Sequence, residues 1–146
     1  MGASVLRVIR LLAVLLAFAL STGCAHTKKK SDLETLRPVV ESFHQRVRWK
    51  DYRIAARFIV PERRQDFERA RRERQDERDL SITDYEIEEV QVEEEGARAI
   101  VTSRIKWMRL PSVSEQSDTV TSEFIYRDGK WLLEKQAGGP FDGELP

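Results

Sequence analysis

Cysteine is almost absent from this sequence: Cys24 is the sole thiol in 146 residues. An internal disulfide is therefore excluded, and so is a metal site built from several cysteines. Histidine is nearly as scarce, and of the two present only His44 lies in the part of the chain patterned to fold. No Gly-rich phosphate loop and no Gly-x-Ser-x-Gly elbow occurs, which argues against nucleotide and serine-hydrolase chemistry. An excess of one charge is lacking too. With 25 basic and 25 acidic residues the chain offers no electrostatic footprint for nucleic acid. No cofactor is implied.

Long apolar runs are missing with one exception, the ten residues from Leu11 to Leu20. Arg7 and Arg10 precede them, and Ser21, Thr22 and Gly23 follow. This order of positive, apolar and small residues is that of a signal peptide. A membrane-spanning helix needs about 20 apolar residues, twice what is present, so residues 1–23 are expected to be cleaved rather than retained.

Leu20-Ser21-Thr22-Gly23-Cys24 resembles the bacterial lipobox, in which a small residue precedes a cysteine that is acylated and becomes the first residue of the mature protein. Ser21 departs from the pattern, which prefers an aliphatic residue there. The resemblance implies a lipoprotein whose Cys24 carries the acyl chains, palmitate among them, and through them meets the membrane. Ala25, where a retention signal would have Asp, points to the periplasmic face of the outer membrane.

Without its first 23 residues the chain has 23 basic and 25 acidic side chains, enough length for one domain. Residues 25–31 (AHTKKKS) read as a tether that reaches at most about 25 Å, within a lipidated segment spanning 24–34. Lys28, Lys29 and Lys30 could touch anionic headgroups at about 1 kcal/mol each.

Residues 35–136 then divide into a helical half and a strand half, which indicates an α+β domain, followed by a tail over 137–146. Leu36, Val40, Phe43 and Val47 form one apolar stripe on a helix that Thr35 can cap, with Pro38 in its first turn. A short helix capped by Asp51 should bury Tyr52, Ala55, Ala56 and Ile59 before Val60-Pro61 ends it. The segment from Glu62 to Asp79 holds seven arginines and seven acidic residues, with only Phe67 and Ala70 apolar. It reads as a self-neutralised surface helix, or else as a docking face for a charged partner.

Alternation takes over from Leu80 and predicts four strands, 81–92, 97–109, 118–127 and 130–136. Arg127-Asp128-Gly129-Lys130 is a two-residue hairpin signal. In the first strand Tyr85 and Ile87 occupy odd positions and Val90 and Val92 even ones, so both pairs face inward only if a bulge intervenes at Glu88-Glu89. With a loop over 93–96, Val92 would face Ala97, Val90 Ala99, Ile87 Val101 and Tyr85 Ser103, with Asp84 opposite Arg104 outside.

Helices followed by a bulged antiparallel meander look like the nuclear transport factor 2-like fold, with a cystatin-like arrangement as the alternative. The closing pattern Phe124-Ile125-Tyr126-Arg127-Asp128-Gly129-Lys130-Trp131-Leu132-Leu133 is similar to the last hairpin of many nuclear transport factor 2-like members. That resemblance implies a cone-shaped domain whose pocket lies between the first helix and the concave sheet. Tyr85, Ser103, Trp107 and Tyr126 would line it, and His44 is the one candidate for a general base, with Tyr85 or Tyr126 as partner. Ser122 could add to a small polar cavity, though inward serines and aromatics at period two are more often core.

Two classes of function are therefore expected. The first is a non-enzymatic envelope lipoprotein that binds another envelope protein or a small apolar ligand. The second, which the family resemblance implies, is a lipid-anchored isomerase or hydro-lyase of the ketosteroid isomerase type using His44.

Overall fold

In the computed structural model, residues 28–93 and 96–145 are described, and side chains from residue 34 onward. The expected signal peptide, Cys24 and the first part of the tether lie outside these residues. Helix α1 spans Lys28–Arg48, so residues 28–34 belong to the helix and not to a tether. Thr35 therefore sits inside α1, and Pro38 is interior to it. The proline forfeits the one backbone bond its missing N–H would make to the carbonyl four residues earlier. Leu36, Val40, Phe43 and Val47 are all buried, as their spacing predicts.

Helix α2 (Tyr52–Ala55) is capped by Asp51, whose side chain accepts from the Ile54 N–H, and a 3-10 turn over Ala56–Phe58 follows. Helix α3 spans Pro61–Glu73 and helix α4 Asp76–Asp79. The single helix expected over 62–79 is thus broken, because Gln75 adopts a left-handed conformation at φ 54° that a continuous helix cannot pass through.

Strands β1 (Leu80–Glu93), β2 (Arg98–Arg109), β3 (Gln116–Arg127) and β4 (Lys130–Ala137) form an antiparallel sheet in sequence order. The ladder between β1 and β2 slips between Ile87 and Glu89, at the place the phase change requires. A second slip falls between Ile82 and Asp84. The pairing itself differs from expectation by two residues: Val92 faces Ala99, Val90 faces Val101, Ile87 faces Ser103 and Tyr85 faces Ile105. Period-two patterning fixes which face is buried but not a shift of two, which leaves every side chain on the same face. Outside, Asp84 consequently pairs with Lys106 at 3.8 Å, and Arg104 with Glu88. At the β3–β4 turn Asp128 and Gly129 take positive φ, 53° and 77°, as a type I′ turn demands.

Val101, Ile105, Val120, Phe124, Trp131 and Leu133 on the sheet meet the α1 stripe and Phe67 in one core. The two sheet edges are treated differently. Ile59 bridges Leu133, and the Val60 N–H donates to the Leu133 carbonyl at 2.9 Å, covering β4. Edge strand β1 exposes Asp84, Glu86, Glu88, Glu89 and Glu93, charges that discourage pairing with another chain.

The segment after β4 is not a tail. Gly138 turns the chain with φ 85°, where a Cβ would lie 2.5 Å from the Thr119 carbonyl oxygen, so only glycine fits. Phe141 and Leu145 are then buried, and Leu145 bridges Gln136.

Candidate functional site

Phe67 and Arg71 lie four apart on α3 and so share one face. Both are buried, Arg71 with only 2% of its surface exposed. The Arg71 guanidinium is sandwiched between aromatic rings, 4.8 Å from the centre of Phe67 and 4.0 Å from that of Phe141. Its Nε is 3.1 Å from Asp76 Oδ2, and its Nη2 pairs with Glu144. Arg109 from β2 pairs with the other oxygen of Asp76, and Arg74 Nε reaches Glu144 Oε1 at 3.0 Å. Three guanidiniums thus share two carboxylates. Burial pushes the Arg71 pKa down to about 10, with Asp76 opposing the shift, so the side chain stays charged at neutral pH. Burial, and then Asp76, push the Tyr52 hydroxyl up to about 12. The expectation that α3 is a wholly solvated surface helix is corrected at this point. Its i,i+4 pairs Arg72 with Glu68 and Arg69 with Glu73 lie at the surface, but Arg71 belongs to the core, where Phe141 and Glu144 from far along the chain join Phe67 and Asp76 around it.

A cleft of about 490 Å³ opens beside this cluster, and Tyr52, Arg53, Glu68, Arg71, Arg72 and Arg78 are among its lining residues. Guanidinium groups present planar forks of N–H donors, matched to carboxylate or phosphate oxygens. A second cleft, also about 490 Å³, is lined by Gln45, Arg48, Trp49, Lys50, Ser81, Ile82 and Tyr85. The Lys50 Nζ donates to the Glu77 carbonyl at 2.8 Å, which ties the two clefts together around the turn that ends α1.

Of the residues expected to form a catalytic pocket, only His44 and Tyr85 are brought together. His44 is 4% exposed, stacked on Tyr85 at 5.0 Å and edge-on to Phe43 at 5.6 Å. Burial lowers its pKa to about 4, so it is neutral at physiological pH. Tyr85 lines the second cleft. Tyr126 lies at the opposite end of the sheet, against Trp131 at 5.2 Å and facing it across the β3–β4 turn. Ser103 is fully buried, with an Oγ that has no hydrogen-bond partner. The Ser122 Oγ accepts from the Gln136 Nε2 at 3.1 Å. Trp107 is half-buried and donates from Nε1 to Asp118 Oδ2 at 2.7 Å. Ser103 and Ser122 are thus core residues, Trp107 and Tyr126 lie outside both clefts, and of the four expected lining residues only Tyr85 borders one. Among the described residues, no group of three or more His, Cys, Asp or Glu side chains is placed to hold a metal ion.

Sequence reasoning passed over Trp49 and the Arg71 cluster. Trp49 had a legible signal, since it falls off the stripe of Leu36, Val40, Phe43 and Val47 and is flanked by Arg48 and Lys50. Arg71 had none, because its ring partner Phe141 and its carboxylate Glu144 lie about 70 residues away in sequence.

No family model and no curated protein matches the chain. Among solved structures it is similar to the solution structure of a SEC-C motif containing protein from Rhodopseudomonas palustris, with a TM-score of 0.55 and 21% identity. The match covers 69% of this chain and 76% of that one. At this identity the likeness is one of fold. The α+β architecture stands, but the nuclear transport factor 2-like assignment and its cystatin-like alternative are corrected: the structural relative found is a SEC-C motif protein. The helices-then-meander pattern was too general to select a family, since many unrelated families share such an order of elements.

Proposed function

We propose that this chain is a bacterial envelope lipoprotein whose α+β domain is a non-enzymatic binding module. Residues 1–23 act as its export signal, and acyl chains on Cys24 hold it to the periplasmic face of the outer membrane. The anchor reading rests on the sequence, where the only cysteine stands directly after Gly23 at the end of an apolar run too short to span a bilayer. With α1 beginning at Lys28, only a few residues separate the acylated position from the folded domain.

The module reading rests on one observation above others. The domain's only histidine is packed between aromatic rings and held neutral, whereas the two clefts described above are lined mainly by arginine, lysine and exposed tryptophan, with Glu68 and Glu77 in the first. Such surfaces are suited to binding, and they present no histidine to exchange a proton near pH 7. The isomerase alternative drew on a family assignment now corrected and on His44 working with Tyr85 or Tyr126, of which Tyr85 alone lies against the imidazole, ring on ring.

Replacing Cys24 with Ser tests the anchor. Labelling by a palmitate analogue should disappear and the protein should leave the membrane fraction. Labelling that persists in the variant would remove the lipoprotein reading.

A further inference from the structure

We infer that the turn closing helix α1 is a docking ridge for an acidic polypeptide segment, with Trp49 as its apolar anchor and Arg48, Lys50 and Arg53 receiving carboxylates on either side. This deepens the binding-module reading and rests on it.

Trp49 is 74% exposed. A large aromatic left in water at the tip of an element is costly unless something covers it, and tryptophan with arginine dominates the centres of protein interfaces. The backbone holds it there firmly. Its N–H donates to the Gln45 carbonyl at 3.0 Å, the Lys50 N–H to Val47 at 3.0 Å and the Asp51 N–H to Arg46 at 2.9 Å. Lys50 adopts φ 62°, a left-handed conformation that glycine would take at less cost. A lysine in that position keeps a cation beside Trp49, and its Nζ fastens the turn to the Glu77 carbonyl.

Charge selects the occupant. From Arg46 to Arg53 there are four cations and one carboxylate, Asp51. That carboxylate is already engaged, with Oδ1 capping α2 and Oδ2 near Arg46. No carboxylate lines the cleft on the Trp49 side. Across the ridge Arg53 borders the other cleft, where Glu68 and Glu77 also line the wall; there Arg72 faces Glu68 at 3.9 Å and Arg78 holds Asp79 at 2.6 Å, so the exposed Arg48 and Arg53 are the cations offered to an incoming carboxylate. The outer charges of β1 are acidic and would repel the same partner, so the acidic segment is directed to one end of the domain. Helix α1 is 21 residues long, about 30 Å, which separates the ridge from Lys28 at the other end of the helix, on the side where the proposed anchor joins. A protein segment therefore suits it better than the headgroups of the anchoring bilayer.

The test uses the full-length chain in neutral detergent. Isothermal titration is carried out with a synthetic peptide of glutamate and leucine, with its lysine-for-glutamate counterpart, and with vesicles of anionic lipid. The acidic peptide should bind, and binding should weaken about tenfold or more in Trp49→Ala, in Arg48→Glu/Arg53→Glu, and at high salt. All three positions are exposed, so urea midpoints should be unchanged. Equal binding of the lysine peptide, indifference to both variants, or preference for the vesicles would each overturn the proposal. Complementation of a deletion strain separates this outcome from the broader reading. If the acidic peptide fails to bind and Arg48→Glu/Arg53→Glu still complements, the ridge is dismissed and the module stands. If function is lost only with His44→Gln at normal abundance, the module reading itself falls.

Discussion

The guanidinium carbon of Arg71 stands 4.0 Å from the centre of the Phe141 ring, so a charged residue of helix α3 is seated by an aromatic one from beyond the last strand. That contact makes the two ends of the domain interdependent.

Removing the cation should therefore be severe. Arg71→Ala leaves Asp76 and Glu144 buried, each without the partner at its centre, and breaking a buried pair in this way costs about 3–5 kcal/mol. Arg71→Lys keeps the charge but loses the flat stack between Phe67 and Phe141, and should fall between the two. Urea denaturation measures both. A loss below about 1 kcal/mol for Arg71→Ala would mean that the cluster relaxes without it.

Phe141→Ala should cost about 3–5 kcal/mol as a core truncation. Because Phe141 and Arg71 touch, the double variant Arg71→Ala/Phe141→Ala should lose less than the sum of the two single losses. Strict additivity in the denaturation midpoints would show that the contact carries no energy.

His44 predicts a pH dependence. Its pKa falls from 6.5 to about 4 on folding, so below pH 6.5 the unfolded chain takes up a proton that the native one refuses. Stability from this group is complete above pH 6.5 and is lost progressively down to pH 4, by about 3 kcal/mol in all. His44→Phe keeps a ring against Tyr85 and removes the titration. The difference between wild-type and variant stability, measured by denaturation from pH 7 to 4, should change by that amount in favour of the variant.

Ser103 offers a gain. Its hydroxyl is fully buried without a hydrogen-bond partner, so the folded state bears a desolvation penalty with no return. Ser103→Ala should leave the melting temperature unchanged or raise it. A loss above about 1 kcal/mol would place an unseen partner at that oxygen.

Much of the sheet was legible in the sequence. The clash between the phases of Ile87 and Val90 located a bulge, and Asp128-Gly129 located a turn, because each follows from chemistry confined to a few residues. The register of β1 on β2 was not, since a shift of two leaves the buried face unaltered and only the point where the chain turns, after Glu93 rather than after Val92, decides it. The end of α1 was misjudged for a similar reason: Pro38 reads as first-turn proline, yet the segment from Lys28 can extend the helix ahead of it. Arg71 was the least legible. A run of alternating charges looks self-sufficient until Phe141 and Glu144, which sit among glycines and acidic residues with no periodicity, are brought beside it. Family identity was illegible too, because a sequence of elements is shared far more widely than ancestry.

Glu144 follows Arg71 by 73 residues, and this separation orders events during synthesis. When α3 leaves the ribosome the cluster around Arg71 lacks both Glu144 and the Phe141 ring, and β2 has yet to bring Arg109 to Asp76. The core of the helical half cannot close until residues 141–145 have been translated. A nascent chain of this protein should thus remain open, and susceptible to protease, until residues 141–145 have been made.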